Sequence, residues 1–160
     1  EMKNEKRVVS HARNDQNVDR VLDKDGKEYS ISEAYEKQID WVQIDKGFLS
    51  EQEKETVLNL CKYAVVNGSH TVMGEILGSH AKPIIGIPIY DEHTNQIEWT
   101  KEKKLGLFAR NRVQIAEAVR EMHENYEEFT DSVKEFSRNF NGNGVSNTAK
   151  IVSEILEDKK

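Results

Sequence analysis

The chain has 160 residues, of which 36 % are hydrophobic and 32 % charged, and its formal net charge at pH 7 is −6. This length fits one domain, and the negative charge disfavours a nucleic-acid-binding surface or a general attraction to anionic membranes. No apolar run approaches the roughly 20 residues of a membrane-spanning helix, and the amino terminus lacks the apolar stretch of a secretory signal. The single cysteine, Cys61, excludes an internal disulfide, so we expect a cytoplasmic protein.

Residues 1–38 carry the weakest structural pattern. Val8 and Val9 predict a short strand, and Asp25-Gly26, lying between alternating residues, predicts a hairpin. The run ISEAYEKQI predicts a short helix with Ser32 as its cap. For the first 20 residues, a disordered or crossing segment is an equal alternative.

From residue 39 onward, strands and helices alternate. The predicted strands are WVQI (41–44), YAVVN (63–67), PIIGI (83–87) and LGLFA (105–109). The predicted helices are one opened by a capping box at Ser50 and Glu53, one over 71–77, HTNQIEWTKEKK (93–104), a long stretch from Val113, and SNTAKIVSEILEDKK (146–160). The continuous apolar run YAVVN predicts a strand buried on both faces, and PIIGI predicts a second buried strand. The alternation predicts an α/β fold with one parallel sheet and helices on both of its faces.

The first of two polar turns follows the strand YAVVN. Gly68 and Ser69 would let a ligand approach the backbone, and the free N–H groups of the following helix suit a phosphate. Ser69 and Thr71 add hydroxyl donors, while Glu75, four residues after Thr71, could accept two hydrogen bonds from a ribose diol. The alternative is an ordinary helix cap with a surface glutamate, and the local pattern alone favours that alternative.

The second polar turn follows the strand PIIGI. Its side chains suit sugar hydroxyls, because acceptors and donors are dense there: Asp91, Glu92, His93, Asn95 and Gln96. The alternative is a solvated loop with Asp91 or Thr94 as the helix cap. A metal site built from His70, Asp91 and His93 is disfavoured, because their spacing is not a standard one.

These two turns resemble the donor-binding half of the GT-B glycosyltransferases. In the UDP-glycosyltransferases of that fold the pattern runs His-Gly-Gly, a Ser, Thr or Asn, a Glu, small-Lys-Pro, Ile-Pro, then Asp/Glu-Gln. This chain supplies Asn67-Gly68-Ser69, Thr71, Glu75, Ala81-Lys82-Pro83, Ile87-Pro88 and Glu92-His93. It departs from the pattern at Asn67 and Ser69, by one extra residue between Glu75 and Pro83, and at His93, unless Gln96 takes the glutamine's place.

The resemblance covers about residues 39–160, with PIIGIPIYDEHTNQ as its most specific part. It implies a Rossmann-like parallel sheet flanked by helices over 39–160, preceded by a poorly matched segment over 1–38. It also implies that this domain binds a nucleotide-diphosphate sugar, most often UDP-linked, as a substrate, without a cofactor or a metal.

The resemblance further assigns individual positions to parts of that ligand. Ser69, His70 and Thr71 would hold the diphosphate, with Gly68 letting it approach the backbone, and Glu75 would hold the ribose. The donor sugar would meet Glu92 and His93, with Asp91 and Gln96 in the same turn. A preorganised helix amino terminus would stabilise the negative charge that develops on the leaving diphosphate.

The acceptor-binding domain, which supplies the general base in this fold, has no counterpart in the pattern, so no catalytic residue is assigned. Three interpretations remain open. The chain is a donor-binding domain of a larger hexosyl- or N-acetylhexosaminyl-transferase, or a natural donor-binding subunit that pairs with a separate, membrane-anchored acceptor-binding subunit. The third interpretation is a non-catalytic nucleotide-binding or adaptor α/β domain.

Overall fold

The structure is a computed structural model that describes residues 5–10, 19–140 and 144–157. The chain divides into two compact units, Glu1–Asn59 and Leu60–Lys160. In the part of the chain that is described, no helix is both long enough and apolar enough to cross a membrane.

The first unit is built on a mixed sheet. Its elements are β1 Arg7–Ser10, β2 Arg20–Asp23, β3 Glu28–Tyr29, α1 Ile31–Glu36, β4 Trp41–Lys46 and α2 Glu51–Leu60, whose last residue falls in the second unit. The strand order is β1-β4-β2-β3, in which β1 and β4 are parallel and the other pairs antiparallel. The predicted strand at Val8-Val9 and the hairpin around Gly26 are confirmed, and Gly26 has the positive φ of 78° that favours glycine. Helix α1 is capped by Ser30 rather than Ser32.

Strand β4 does not belong to the parallel sheet, so the prediction of a single sheet is wrong. Its Asp45 is buried and accepts hydrogen bonds from Arg20 Nε at 2.8 Å and from Gln43 Nε2 at 2.7 Å. A buried carboxylate needs such partners, and the cationic one lies on β2. The Arg20–Asp45 pair therefore joins β4 to a strand of residues 1–38.

The capping box that opens α2 is confirmed. Ser50 Oγ accepts the Glu53 N–H at 3.3 Å, and Glu53 Oε2 accepts both the Ser50 N–H at 2.9 Å and the Ser50 hydroxyl at 2.7 Å. Lys46 Nζ lies 2.6 Å from Glu53 Oε1. Lys46, followed by the bonds from Ser50, lowers the pKa of Glu53 from 4.5 to about 2.

The second unit is a three-stranded parallel sheet with helices. Its elements are β5 Ala64–Asn67, α3 His70–Met73, a π-helical segment Gly74–Ser79, β6 Ile84–Ile87, α4 Asp91–Glu102, β7 Gly106–Phe108, α5 Arg112–Glu124, α6 Tyr126–Asn139 and α7 Gly144–Glu157. The strand order is β5-β6-β7, with Ala64 opposite Ile84 and Ile84 opposite Gly106. The α/β class is thus confirmed.

Helices cover both faces of this sheet. Ile85 of β6 belongs to a core cluster with Val119 and Met122 of α5, while the next residue, Gly86, faces Ile97 of α4. Neighbouring residues of a strand point to opposite faces, so α4 and α5 lie on opposite sides. Because parallel strands end at the same edge, the turns after β5, β6 and β7 all leave the sheet on one side.

Strand β5 is less buried than its apolar run predicts. Val65 is 47 % exposed, and Ala64, Val66 and Asn67 are half-buried. The prediction of burial on both faces is therefore wrong for β5 and correct for β6, where Ile84 and Ile85 are fully buried. The physical reason is position, because β6 is the strand with a neighbour on each side.

Candidate functional site

The turn after β5 packs directly on the first turns of α4. A Cβ atom added to Gly68 would lie 2.8 Å from His93 Cβ, 2.8 Å from Ile97 Cδ1 and 2.9 Å from the His93 carbonyl oxygen. The same Ile97 lies against Gly86, where an added Cβ would approach it to 2.5 Å. Gly68 is therefore required by contact with α4, and this contact brings the two predicted turns together.

A side chain also holds the turn after β5 in place. The Ser69 N–H donates to Asn67 Oδ1 at 3.2 Å. Ser69 is the N-cap residue of α3 with extended backbone, but its hydroxyl makes no capping bond. Ser69 is half-buried and its hydroxyl does not cap the helix, while His70 and Thr71 are exposed.

Glu75 lies on the π-helical segment rather than on an α-helix. The predicted helix over 71–77 is α-helical only over His70–Met73, and the π-helical turn continues it to Ser79. Glu75 is half-buried near the start of that turn, and its carbonyl accepts the His80 N–H at 3.2 Å. The segment ends at Ser79, and two residues later Ala81 has a positive φ of 51°.

The amino terminus of α4 carries the second group of predicted residues. Its N-cap is Tyr90, so neither Asp91 nor Thr94 is the cap. Asp91 and Glu92 are exposed in the first turn, where negative charge is favourable next to the positive end of the helix dipole. Exposed carboxylates at this position remain suited to hydroxyl groups.

His93 is buried and braces the turn that precedes it. The Ile89 N–H donates to His93 Nδ1 at 3.4 Å, so Nδ1 has to be the unprotonated ring nitrogen. The other ring nitrogen, Nε2, lies 3.7 Å from Glu92 Oε1, and the Tyr90 ring packs edge-on at 5.3 Å. His93 thus supports the turn between β6 and α4 from the buried side, and Glu92 is the member of the pair that faces solvent.

A cavity of about 370 Å³ lies between the helices of the second unit. It is lined by His70, Met73, Gly74, Leu77, Asn95, Gln96, Trp99 and Phe136. His70 and Gln96, both predicted site residues, therefore share one cavity, whereas Thr71, Glu75, Asp91 and Glu92 are not among its lining residues. Gln96 Oε1 is buried without a hydrogen-bond partner, although Gln96 as a whole is half-buried.

Sequence reasoning missed the aromatic wall of this cavity. Trp99 is 41 % exposed, and its ring lies 5.9 Å from that of Phe136 in an edge-on arrangement. Trp99 follows Gln96 by three residues on α4, so helical spacing could have placed the two on one face. Phe136 lies on α6, and no local signal connects it with the turns.

A second cavity, of about 550 Å³, lies near the joint between α5 and α6. Its lining includes Tyr63, His123 and Tyr126. The Tyr63 hydroxyl lies 3.1 Å from His123 Nε2, and Tyr126 donates to the Lys62 carbonyl at 3.2 Å. Because Tyr63 immediately precedes β5, this cavity lies at the opposite end of the strand from the polar turn.

Among the described residues, no group of three or more His, Cys, Asp or Glu side chains is placed to hold a metal ion. Comparison of the chain with protein-family models, with curated proteins and with solved structures finds no match.

Proposed function

We propose that the second unit is the donor-binding part of a glycosyltransferase, which binds a nucleotide-diphosphate sugar, with UDP as the nucleotide, for transfer to an acceptor held elsewhere. The contact of Gly68 with His93 and Ile97 carries this proposal. It holds the turn after β5 against the amino terminus of α4, beyond the carboxyl ends of the strands, which is the side on which open parallel sheets bind ligands. The segments Ser69–Glu75 and Asp91–Gln96 are thereby neighbours.

The chemistry of these segments suits the parts of such a ligand. The Ser69 hydroxyl is not used as a helix cap, so it can donate to a phosphate together with the Thr71 hydroxyl. Glu75 would accept hydrogen bonds from the ribose hydroxyls, and exposed Glu92 would accept those of the sugar. His93 supports Glu92 from the buried side of the same turn.

A partner domain, or a membrane-anchored partner subunit, would bind the acceptor and supply the general base. Helix α7 supports this part, since all of its residues are exposed. Its apolar residues cover about 160° of the helix circumference at about 100° per residue: Val145, Ala149, Ile151, Val152, Ile155 and Leu156. A stripe that wide is broader than a coiled-coil seam and suits the apolar surface of a packed domain.

Calorimetric titration of the full chain with UDP and UDP-sugars tests the proposal. We expect the wild type to bind UDP and Glu75→Ala to lose most of that affinity. Glu117→Ala is the matched control, because Glu117 is an exposed carboxylate on α5. Circular dichroism verifies that each variant is folded.

Two results would contradict the proposal. The first is the absence of UDP binding at millimolar ligand by a folded wild type. The second is an equal loss of affinity in Glu75→Ala and Glu117→Ala. Nucleotide binding without transfer, even when the acceptor-binding partner is supplied, would instead favour the non-catalytic nucleotide-binding or adaptor domain.

A further inference from the structure

The π-helical segment Gly74–Ser79 closes its hydrogen bonds over five residues, as the bond from the His80 N–H to the Glu75 carbonyl shows. Such turns are rare, and they occur frequently at functional sites. Because an α-helix is the usual alternative, contacts outside the segment have to hold the π-helical register.

The Gly78 carbonyl shows where one such contact is needed. A π-helical partner would be the N–H of residue 83, but Pro83 has none. An α-helical partner would be the N–H of Lys82, which donates instead to the Ile76 carbonyl at 3.1 Å. Ser137 of α6 supplies the missing donor, since its hydroxyl donates to the Gly78 carbonyl at 2.6 Å.

The side chain of Phe140, the residue that follows α6, contacts the same glycine. A Cβ atom added to Gly78 would lie 2.4 Å from Phe140 Cδ1 and 2.7 Å from its Cγ. The Phe140 ring therefore lies directly against the Gly78 Cα, an approach that only glycine permits. Ser137 of α6 and Phe140, the residue that follows α6, thus hold one residue of the π-helical segment.

The register of this segment determines where Glu75 points. If the hydrogen-bond register of a helix shifts by one residue, the residues after the shift rotate about the helix axis by about 100° relative to those before it. Glu75 lies near the start of the segment and Gly78 near its end. We propose that Ser137 and Phe140 are positioning residues that hold the π-helical register and thereby aim Glu75 at its ligand, a role whose ligand part rests on the proposed function.

Amide hydrogen exchange measured by NMR on the full chain tests this inference without a ligand. In Ser137→Ala we expect the His80 and Lys82 amides to exchange about fivefold faster, because one hydrogen bond of the segment is lost. The Cα chemical shift of Glu75 should move in the same variant. Ser137→Thr retains the hydroxyl and should restore both values, and Ser132→Ala removes a hydroxyl elsewhere on α6 and should change neither.

Calorimetry with UDP supplies the second measurement. Ser137→Ala, made as a single substitution, should weaken UDP binding about fivefold. When it is added to Glu75→Ala, it should weaken UDP binding no further. Unchanged exchange in Ser137→Ala overturns the inference, as does faster exchange with an unmoved Glu75 shift or an unaltered UDP affinity. If the wild type binds no UDP, the proposed function fails, and the exchange rates and the Glu75 shift alone decide the inference.

Discussion

Gly68 and His93 lie so close that no side-chain carbon fits between them, since an added Cβ would approach the His93 carbonyl oxygen to 2.9 Å. Backbone atoms cannot be displaced as a flexible side chain can. The carboxyl end of β5 is therefore fixed in position relative to the amino end of α4. A displacement of either one would also displace the predicted site residues of the other.

This contact predicts a large difference between two glycines. Gly68→Ala should destabilise the protein by about 1–3 kcal/mol, because the new methyl group overpacks the turn against α4. Gly74→Ala is the matched control: a Cβ there meets nothing within 4 Å, and alanine should stabilise the helix by about 0.5–1 kcal/mol. Urea unfolding of both variants gives the comparison. Equal effects would contradict the close packing of Gly68.

The role of His93 predicts that hydrogen-bonding capacity matters more than the imidazole ring. His93→Leu leaves the Ile89 N–H without its acceptor and should cost about 0.5–1.5 kcal/mol. His93→Asn places an amide oxygen on the same side of the chain and should recover part of that loss. Thermal unfolding measures both variants, and an Asn variant no more stable than the Leu variant would show that the Ile89 bond is unimportant.

Glu53 predicts a pH dependence in the first unit. Its pKa is lowered from 4.5 to about 2, so the folded state binds its proton more weakly than the unfolded state does. The stabilisation is therefore complete above pH 4.5 and is lost as the pH falls from 4.5 toward 2. Glu53→Gln should reduce this acid-dependent loss of stability, as measured by thermal unfolding at a series of pH values.

Two observations check this assignment. The carboxyl carbon of Glu53 should titrate near pH 2 in an NMR experiment. Glu36→Gln, at an exposed carboxylate of α1, should leave the acid-dependent loss as it is in the wild type. A Glu53 that titrates at its ordinary pKa of 4.5 would contradict the ion pair with Lys46.

Helix α7 predicts apolar residues that contribute little to stability. Ile151→Lys should change the free energy of unfolding by no more than about 0.5 kcal/mol, because Ile151 is 56 % exposed. Met122→Ala, by contrast, should cost about 2–5 kcal/mol, since Met122 is fully buried in the core of the second unit. Chemical denaturation compares the two, and a destabilised Ile151→Lys would show that α7 packs against its own chain.

The elements that sequence predicts best are those specified by local chemistry. Ser50 and Glu53 identify the start of α2, and Asp25-Gly26 identifies the hairpin, because each signal lies within a few residues. The buried strand β6 is also predictable from its apolar run. The helix predicted from His93 begins two residues earlier, at Asp91, so the polar residues Asp91–Gln96 form its first turns rather than a loop.

The features that sequence failed to predict depend on distant residues. Strand β4 lies between β1 and β2 in the mixed sheet, where its Asp45 accepts a hydrogen bond from Arg20. The exposure of β5 depends on how many strands flank it. Tyr90 is the N-cap of α4, and His93 accepts the Ile89 N–H in front of it, a contact that the sequence pattern does not specify. The cavity wall at Phe136 arises from the packing of α6, which no spacing around the turns encodes.

The π-helical turn also affects how this chain is compared with others. A π-helical turn holds one residue more than an α-helical turn, which is the number by which this chain exceeds, between Glu75 and Pro83, the GT-B pattern that its sequence resembles. A search pattern that fixes the number of residues between this glutamate and this proline would miss the chain. Alignments of similar sequences should therefore allow a one-residue gap within Gly74–Ser79, inside a helix, where gaps are normally penalised most.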